Sequence, residues 1–227
     1  MKLHAFMTDP ALCGTEFLAD SWAPWRIVAR LYDGDAALLT ADERAFACRL
    51  LGTDTLPDWS PDEFYAVLGR RSGKSRFAGL LLTHCGAQDY RDRLAPGEWA
   101  TAICVATDRR QARTIFGYCE GMIDASPMLA AELVNRTRDT IEFAHRTRIE
   151  IHTASFRAVR GYSIPLAVID EAAFLRDERS AIPDMELARA LRPALATLGG
   201  RLAVISSPHR KVGLLWQRYA EHYGKAA

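Results

Sequence analysis

The chain has 227 residues, enough for one large domain or two small ones and for a core that needs neither disulfides nor metals. A formal net charge of +1 excludes a global basic field, and apolar and charged fractions of 49% and 25% are those of an ordinary globular protein. No apolar run approaches the roughly 18 residues of a membrane span, and no signal peptide opens the chain.

Of 29 basic residues only Lys2, Lys74, Lys211 and Lys225 are lysines, so a lone arginine carries little functional weight here. The five cysteines form no C-x-x-C pair and sit in mostly apolar surroundings, as free thiols of a reducing compartment do.

Residues 1–60 read as an N-terminal arm. Trp22, Pro24 and Trp25 precede a short apolar stretch to Tyr32, and Asp33-Gly34-Asp35 reads as a turn. Thr40, with Glu43 three residues on, is the capping box of a helix whose apolar face carries Phe46, Leu50 and Leu51. Pro57 and Pro61 bracket a loop into residues 61–227, which read as a single core.

That core opens with an apolar strand, Phe64 to Leu68, a tight turn and a helix running to about Gly86. The turn, Gly69-Arg70-Arg71-Ser72-Gly73-Lys74-Ser75, ends as a phosphate-binding loop ends. Glycine lets backbone N–H groups curl around a polyphosphate, and the helix start adds positive potential. Lys74 then reaches the β- and γ-phosphates, and the Ser75 hydroxyl is placed to ligate Mg²⁺. The loop is a variant of G-x-x-x-x-G-K-[ST], because Leu68 stands where the first glycine is expected.

Residues 101–107 form a buried strand, 108–123 a helix with Ala112, Ile115, Phe116 and Cys119 on one face, and Ser126-Pro127 opens a short helix. Ile141 and Phe143, then Ile149 and Ile151, alternate with polar residues as a β-hairpin with one wet face, and His145 and His152 read as surface residues on it. Residues 156–161 are a loop or short helix. The apolar strand that follows ends in Asp170-Glu171: the first acid holds Mg²⁺ and the second orients or deprotonates the attacking water. An acid pair after a strand also arises as plain charge at a helix start. An amphipathic helix over 187–198 stops at Gly199-Gly200, and residues 201–207 are one more strand.

Strands alternating with helices predict an α/β fold with a mostly parallel sheet. A strand added between the phosphate-loop strand and the acidic strand marks the P-loop ATPases that pair a Glu with the Walker B Asp, and the stretch 101–107 with its helix fits between the two motifs.

GRRSGKS, AVRGYSIPLAVIDEAAF and LAVISSP, in this order, resemble the ATPase domain of large terminase subunits, the motors that pump DNA into viral capsids. The segment ATDRRQARTIF resembles their second strand and helix, and PW…LYDG…LTADERAFACRLLG, more loosely, their adenine-side N-terminal region. The resemblance spans about Trp22 to Trp216. It implies a P-loop ATPase of RecA type with a helical N-terminal arm acting as an adenine-side lid, Mg²⁺ as cofactor, and translocation of double-stranded DNA.

It further implies a portal protein and a small terminase subunit as partners, a homo-oligomeric ring, no membrane, and work in the cytoplasm of an infected bacterium at the procapsid portal. By residue, it makes Arg70 and Arg71 candidate γ-phosphate contacts and Arg160 a candidate arginine finger. Ser206-Ser207-Pro208 becomes the coupling motif, and Trp22 and Trp25 candidates for the adenine side. A salt bridge for Arg160, strand-end capping for the serines and core packing for the tryptophans are the plainer alternatives.

The nuclease domain that usually follows in this family is not expected in these residues, and DNA cleavage is not assigned to them. A helicase-like P-loop motor is the alternative reading, though helicases normally need a second RecA-like domain. A degenerate scaffold is disfavoured because Lys74 and Glu171 are both present.

Overall fold

The computed structural model describes residues 1–153, 161–175 and 183–225. The chain begins with four helices: α1 (Leu3–Thr8), α2 (Gly14–Phe17), α3 (Ala23–Tyr32) and α4 (Ala41–Leu51). The capping box of α4 forms as predicted: Glu43 N donates to Thr40 Oγ1, and Thr40 N donates to the Glu43 carboxylate. Neither α1 nor α2 was predicted, since each is too short to show a helical period. Leu3, Phe6, Met7, Leu12, Phe17 and Trp25 enter the main core, so the first sixty residues are helical and largely built into the domain.

The remainder runs β1 (Glu63–Val67), α5 (Lys74–Gly86), β2 (Ala100–Ala106), α6 (Arg109–Ala125), α7 (Pro127–Ala131), β3 (Leu133–Arg136), β4 (Thr140–Phe143), β5 (Thr147–Thr153), β6 (Leu166–Asp170), α8 (Pro183–Ala196), β7 (Arg201–Ser206) and α9 (Gly213–His222). Among the described residues the strands form one seven-stranded sheet in the order β1-β7-β6-β2-β5-β4-β3. The first five in that order run parallel, and β4 and β3 close one edge antiparallel.

The predicted hairpin is β4–β5, with Ile141 opposite Ile149. The added strand between the phosphate-loop strand and the acidic strand is β7, near the end of the chain. Residues 101–107, which the sequence order suggested, instead lie on the far side of β6 as β2.

Side-chain alternation explains how the sheet buries both faces. Ala66, Ala102, Cys104, Ala106, Val168, Ala203 and Ile205 face the core beneath α5 and α6. Ile103, Val105, Ala167, Ile169, Leu202 and Val204 face a second core shared with α8 and α9. Doubly buried parallel strands read as unbroken apolar runs, as β2, β6 and β7 do.

The first face is rich in small residues, which lets α5 lie close over the sheet. At Gly79 the approach of α6 is tighter still: a Cβ there would fall 2.8 Å from Tyr118 Cβ. His145 is a correction to the sequence reading. It is buried, and its Nε2 lies 2.9 Å from Gly86 O at the end of α5; His152 is half-buried beside Glu150.

Gly79→Val is therefore expected to destabilise the fold by about 1–3 kcal/mol through overpacking of the α5–α6 contact. Urea unfolding checks this; a variant as stable as the parent would mean that the two helices part at no cost.

Candidate active site

Three parallel strands end at one edge of the sheet, and their register sets the site. Val67 stands opposite Ser206, and Asp170 opposite Ile205, so the ends of β1, β7 and β6 are level. The crevice at such strand ends is where open α/β sheets bind ligands.

From β1 the chain enters the phosphate loop. Leu68 N donates to Ser206 O, which ties the loop's first residue to β7. Arg71 takes φ +63° and Gly73 φ +84°, so the loop turns through two left-handed residues before α5 begins. The backbone N–H groups of Gly73, Lys74, Ser75 and Arg76 have no acceptor among the described residues, as the first turn of a helix dictates. They form an anion cradle with the helix dipole behind it.

Two tryptophans brace this loop from below. Trp25 Nε1 donates to Ser72 O at 2.8 Å, and its ring stacks on Phe77 of α5 with centroids 4.2 Å apart. A Cβ at position 73 would lie 3.0–3.1 Å from the Trp22 and Trp25 rings, a tight fit at a left-handed residue. Trp25 is only 6% exposed, packed between the loop and Phe77. Trp22 is half-buried, edge-on to Phe17.

Glu171 is the hub. Its backbone is left-handed (φ +50°, ψ +43°), an uncommon state for a non-glycine residue that is held by its surroundings. Lys74 Nζ lies 3.3 Å from Oε1. Ser207 N donates to Oε2 at 3.1 Å, and Ser207 Oγ lies 3.5 Å from Oε1. The Ser206 hydroxyl lies 3.2 Å from Oε2 and 2.9 Å from Ser207 O, one proton between two acceptors, and it accepts from Ala173 N. Residues from all three strand ends thus converge on one carboxylate.

Asp170 is wholly buried, and burial raises its carboxyl to about 6 despite a hydrogen bond from Gln111. Gln111 Nε2 donates to Oδ2 at 2.7 Å, while Asp108 caps Gln111 N. The sequence reading missed Gln111. Its signal lies in the topology: β2 flanks β6, so the first turn after β2 lands beside Asp170.

Asp170 Oδ1 and Ser72 Oγ are buried without a hydrogen-bond partner among the described residues. A hard divalent cation seeks such an orphaned carboxylate oxygen, so the donor set around Asp170 and the Ser75 hydroxyl fits Mg²⁺. Arg70 and Arg71 are exposed at the mouth of the loop, and Pro208 is exposed beyond the serines. Arg160 lies outside the described residues.

A mutant form of the ATPase domain of the large terminase of Thermus phage P74-26 superposes with a TM-score of 0.51 at 18% identity, covering 71% of this chain and 68% of that one. The fold is that of a large-terminase ATPase domain. A second structure of that domain gives 0.49 at 20% identity with the same coverage. The HK97 bacteriophage large terminase gives 0.49 at 18%, covering 65% of this chain and 29% of that one. No protein-family model and no curated protein matches the sequence.

Asp170 makes a pH prediction. The folded carboxyl keeps its proton to about pH 6, whereas an unfolded one loses it near 3.8. Between these values the folded state binds more protons, so stability of the metal-free protein falls as pH rises through the window. The penalty, on the order of 3 kcal/mol at most, persists above pH 6. Asp170→Asn is expected to flatten this slope and to raise metal-free stability at pH 7, measured as urea midpoints from pH 4 to 8.

Proposed function

We propose that this chain is a Mg²⁺-dependent ATPase of the packaging-motor type, which couples ATP hydrolysis to translocation of double-stranded DNA into a procapsid. The observation that carries the reading is the convergence of Lys74, Glu171, Ser206 and Ser207 at three level strand ends, beside an open cradle of backbone N–H groups. The terminase fold supports the motor half of the reading, together with the sequence resemblance.

In this reading the polyphosphate lies over the N–H groups of Gly73 to Arg76. Lys74 exchanges its Glu171 partner for the γ-phosphate, a charge-assisted contact. Ser75 and Asp170 would hold Mg²⁺, which would supply positive charge against the charge that develops on the phosphates. Glu171, released from the lysine, accepts the proton of the attacking water. Ser206 and Ser207 report that release to the segment beyond Pro208. Arg70 and Arg71 supply cis contacts to the γ-phosphate in this reading. Arg160, carried by the resemblance alone, supplies the finger of a neighbouring subunit in a ring. Portal protein, small terminase subunit and a place at the procapsid portal in an infected bacterium belong to the same proposal.

Glu171→Gln is expected to keep nucleotide affinity and lose about 10²–10⁴ in turnover, as removal of a general base does. Lys74→Ala is expected to lose ATP binding by calorimetry. Normal turnover in the first, or unchanged affinity in the second, would place the active site elsewhere.

Arg160→Ala alone should be inactive. Mixed with Glu171→Gln it should regain activity, since one interface then joins an intact Glu171 to an intact Arg160. A mixture that stays dead where the parent oligomerises removes Arg160 from a trans role.

A further inference from the structure

Beyond Ser207 the chain runs through Pro208-His209-Arg210-Lys211-Val212, every residue of it exposed, before α9 begins at Gly213. Arg210 and Lys211 put two consecutive full positive charges beside a histidine on this exposed loop. Arginine and lysine together suit a phosphodiester backbone: the guanidinium offers a two-pronged contact and the ammonium a point charge.

The loop is fastened at both ends to functional structure. At its start, Ser207 N and the Ser206 hydroxyl hold the Glu171 carboxylate. The His209 ring stacks on Phe174, three residues after Glu171, with centroids 4.6 Å apart and planes 20° from parallel. At its far end, Leu214 N donates to the buried carboxylate of Asp184 at 2.6 Å, which fixes the first turn of α9 to α8. Lys211 Nζ lies 5.2 Å above the Trp216 ring, which directs its side chain along α9.

Glu171 is thus joined to this loop by two routes, through the serines and through Phe174, while the far end is tied to α8.

We propose that Arg210 and Lys211 grip the phosphate backbone of double-stranded DNA, and that the position of their loop follows the nucleotide site through Glu171. The inference rests on the motor reading above and assigns its DNA contact. His209 is the hinge pin, held by Phe174. Arg210 and Lys211 are the contacts. The contact is to backbone charge, so it is indifferent to base sequence, as a translocating motor requires.

The test is duplex binding by fluorescence anisotropy over a salt series, without nucleotide and with a non-hydrolysable ATP analogue and Mg²⁺. Each phosphate contact contributes about 0.9 to the slope of log affinity against log salt. Arg210→Ala/Lys211→Ala is expected to lower that slope by about two, with at least tenfold weaker binding at low salt and unchanged affinity for the analogue. Arg49→Ala/Lys225→Ala removes the same charge elsewhere on the surface and is expected to keep the parent slope. Arg210→Lys/Lys211→Arg should keep it too.

Glu171→Ala should make duplex affinity independent of nucleotide. A loop variant with the parent slope, or a control variant with an equal loss, overturns the contact. Nucleotide-dependent affinity that survives Glu171→Ala overturns the coupling. If the parent hydrolyses ATP yet binds no duplex, the inference fails and the ATPase stands; if it neither binds nor hydrolyses ATP, both fail.

Discussion

The carboxylate of Glu171 is the point on which the rest of the site depends. It is held by Lys74 from the phosphate loop and by Ser206 and Ser207 from β7, while its own backbone sits in a left-handed conformation. A lone non-glycine residue there costs on the order of 1 kcal/mol and needs its surroundings to keep it. Under the proposed function the bonds that hold Glu171 occupy two groups that turnover would need free, the lysine for phosphate and the carboxylate for water. The Lys74–Glu171 ion pair thus closes this end of the site on itself.

Sheet order makes this possible. Because β7 lies between β1 and β6, its terminal serines stand next to the acid, and Lys74 reaches the same carboxylate from the start of α5. The small residues beneath α5, with Gly79 against α6, let the helix that carries Lys74 lie low over the strand ends. Trp25 completes the frame by bonding Ser72 O and stacking on Phe77, so the loop is braced by a helix from the first sixty residues. Helix α3 is thus part of the frame that holds this loop.

Much of this was legible in the sequence. The strands β2, β6 and β7 are apolar runs, α4 announces itself by its capping box, and the phosphate loop and Asp170-Glu171 carry chemistry at fixed spacing. Three things were not legible. The identity of the inserted strand depends on sheet order, and sequence order pointed to residues 101–107 instead of β7. Gln111 reaches Asp170 only because β2 flanks β6, a long-range fact with no local pattern. His145, among polar neighbours, reads as surface until the end of α5 is seen to accept its hydrogen bond.

The most direct measurement is a structure of the protein with a non-hydrolysable ATP analogue and Mg²⁺. The account predicts the triphosphate over the N–H groups of Gly73 to Arg76, Lys74 moved from Glu171 to the γ-phosphate, and the Glu171 carboxylate facing a water in line with it. A structure in which the analogue lies elsewhere, or in which Lys74 keeps its 3.3 Å contact with Glu171 while the phosphates are bound, would contradict it.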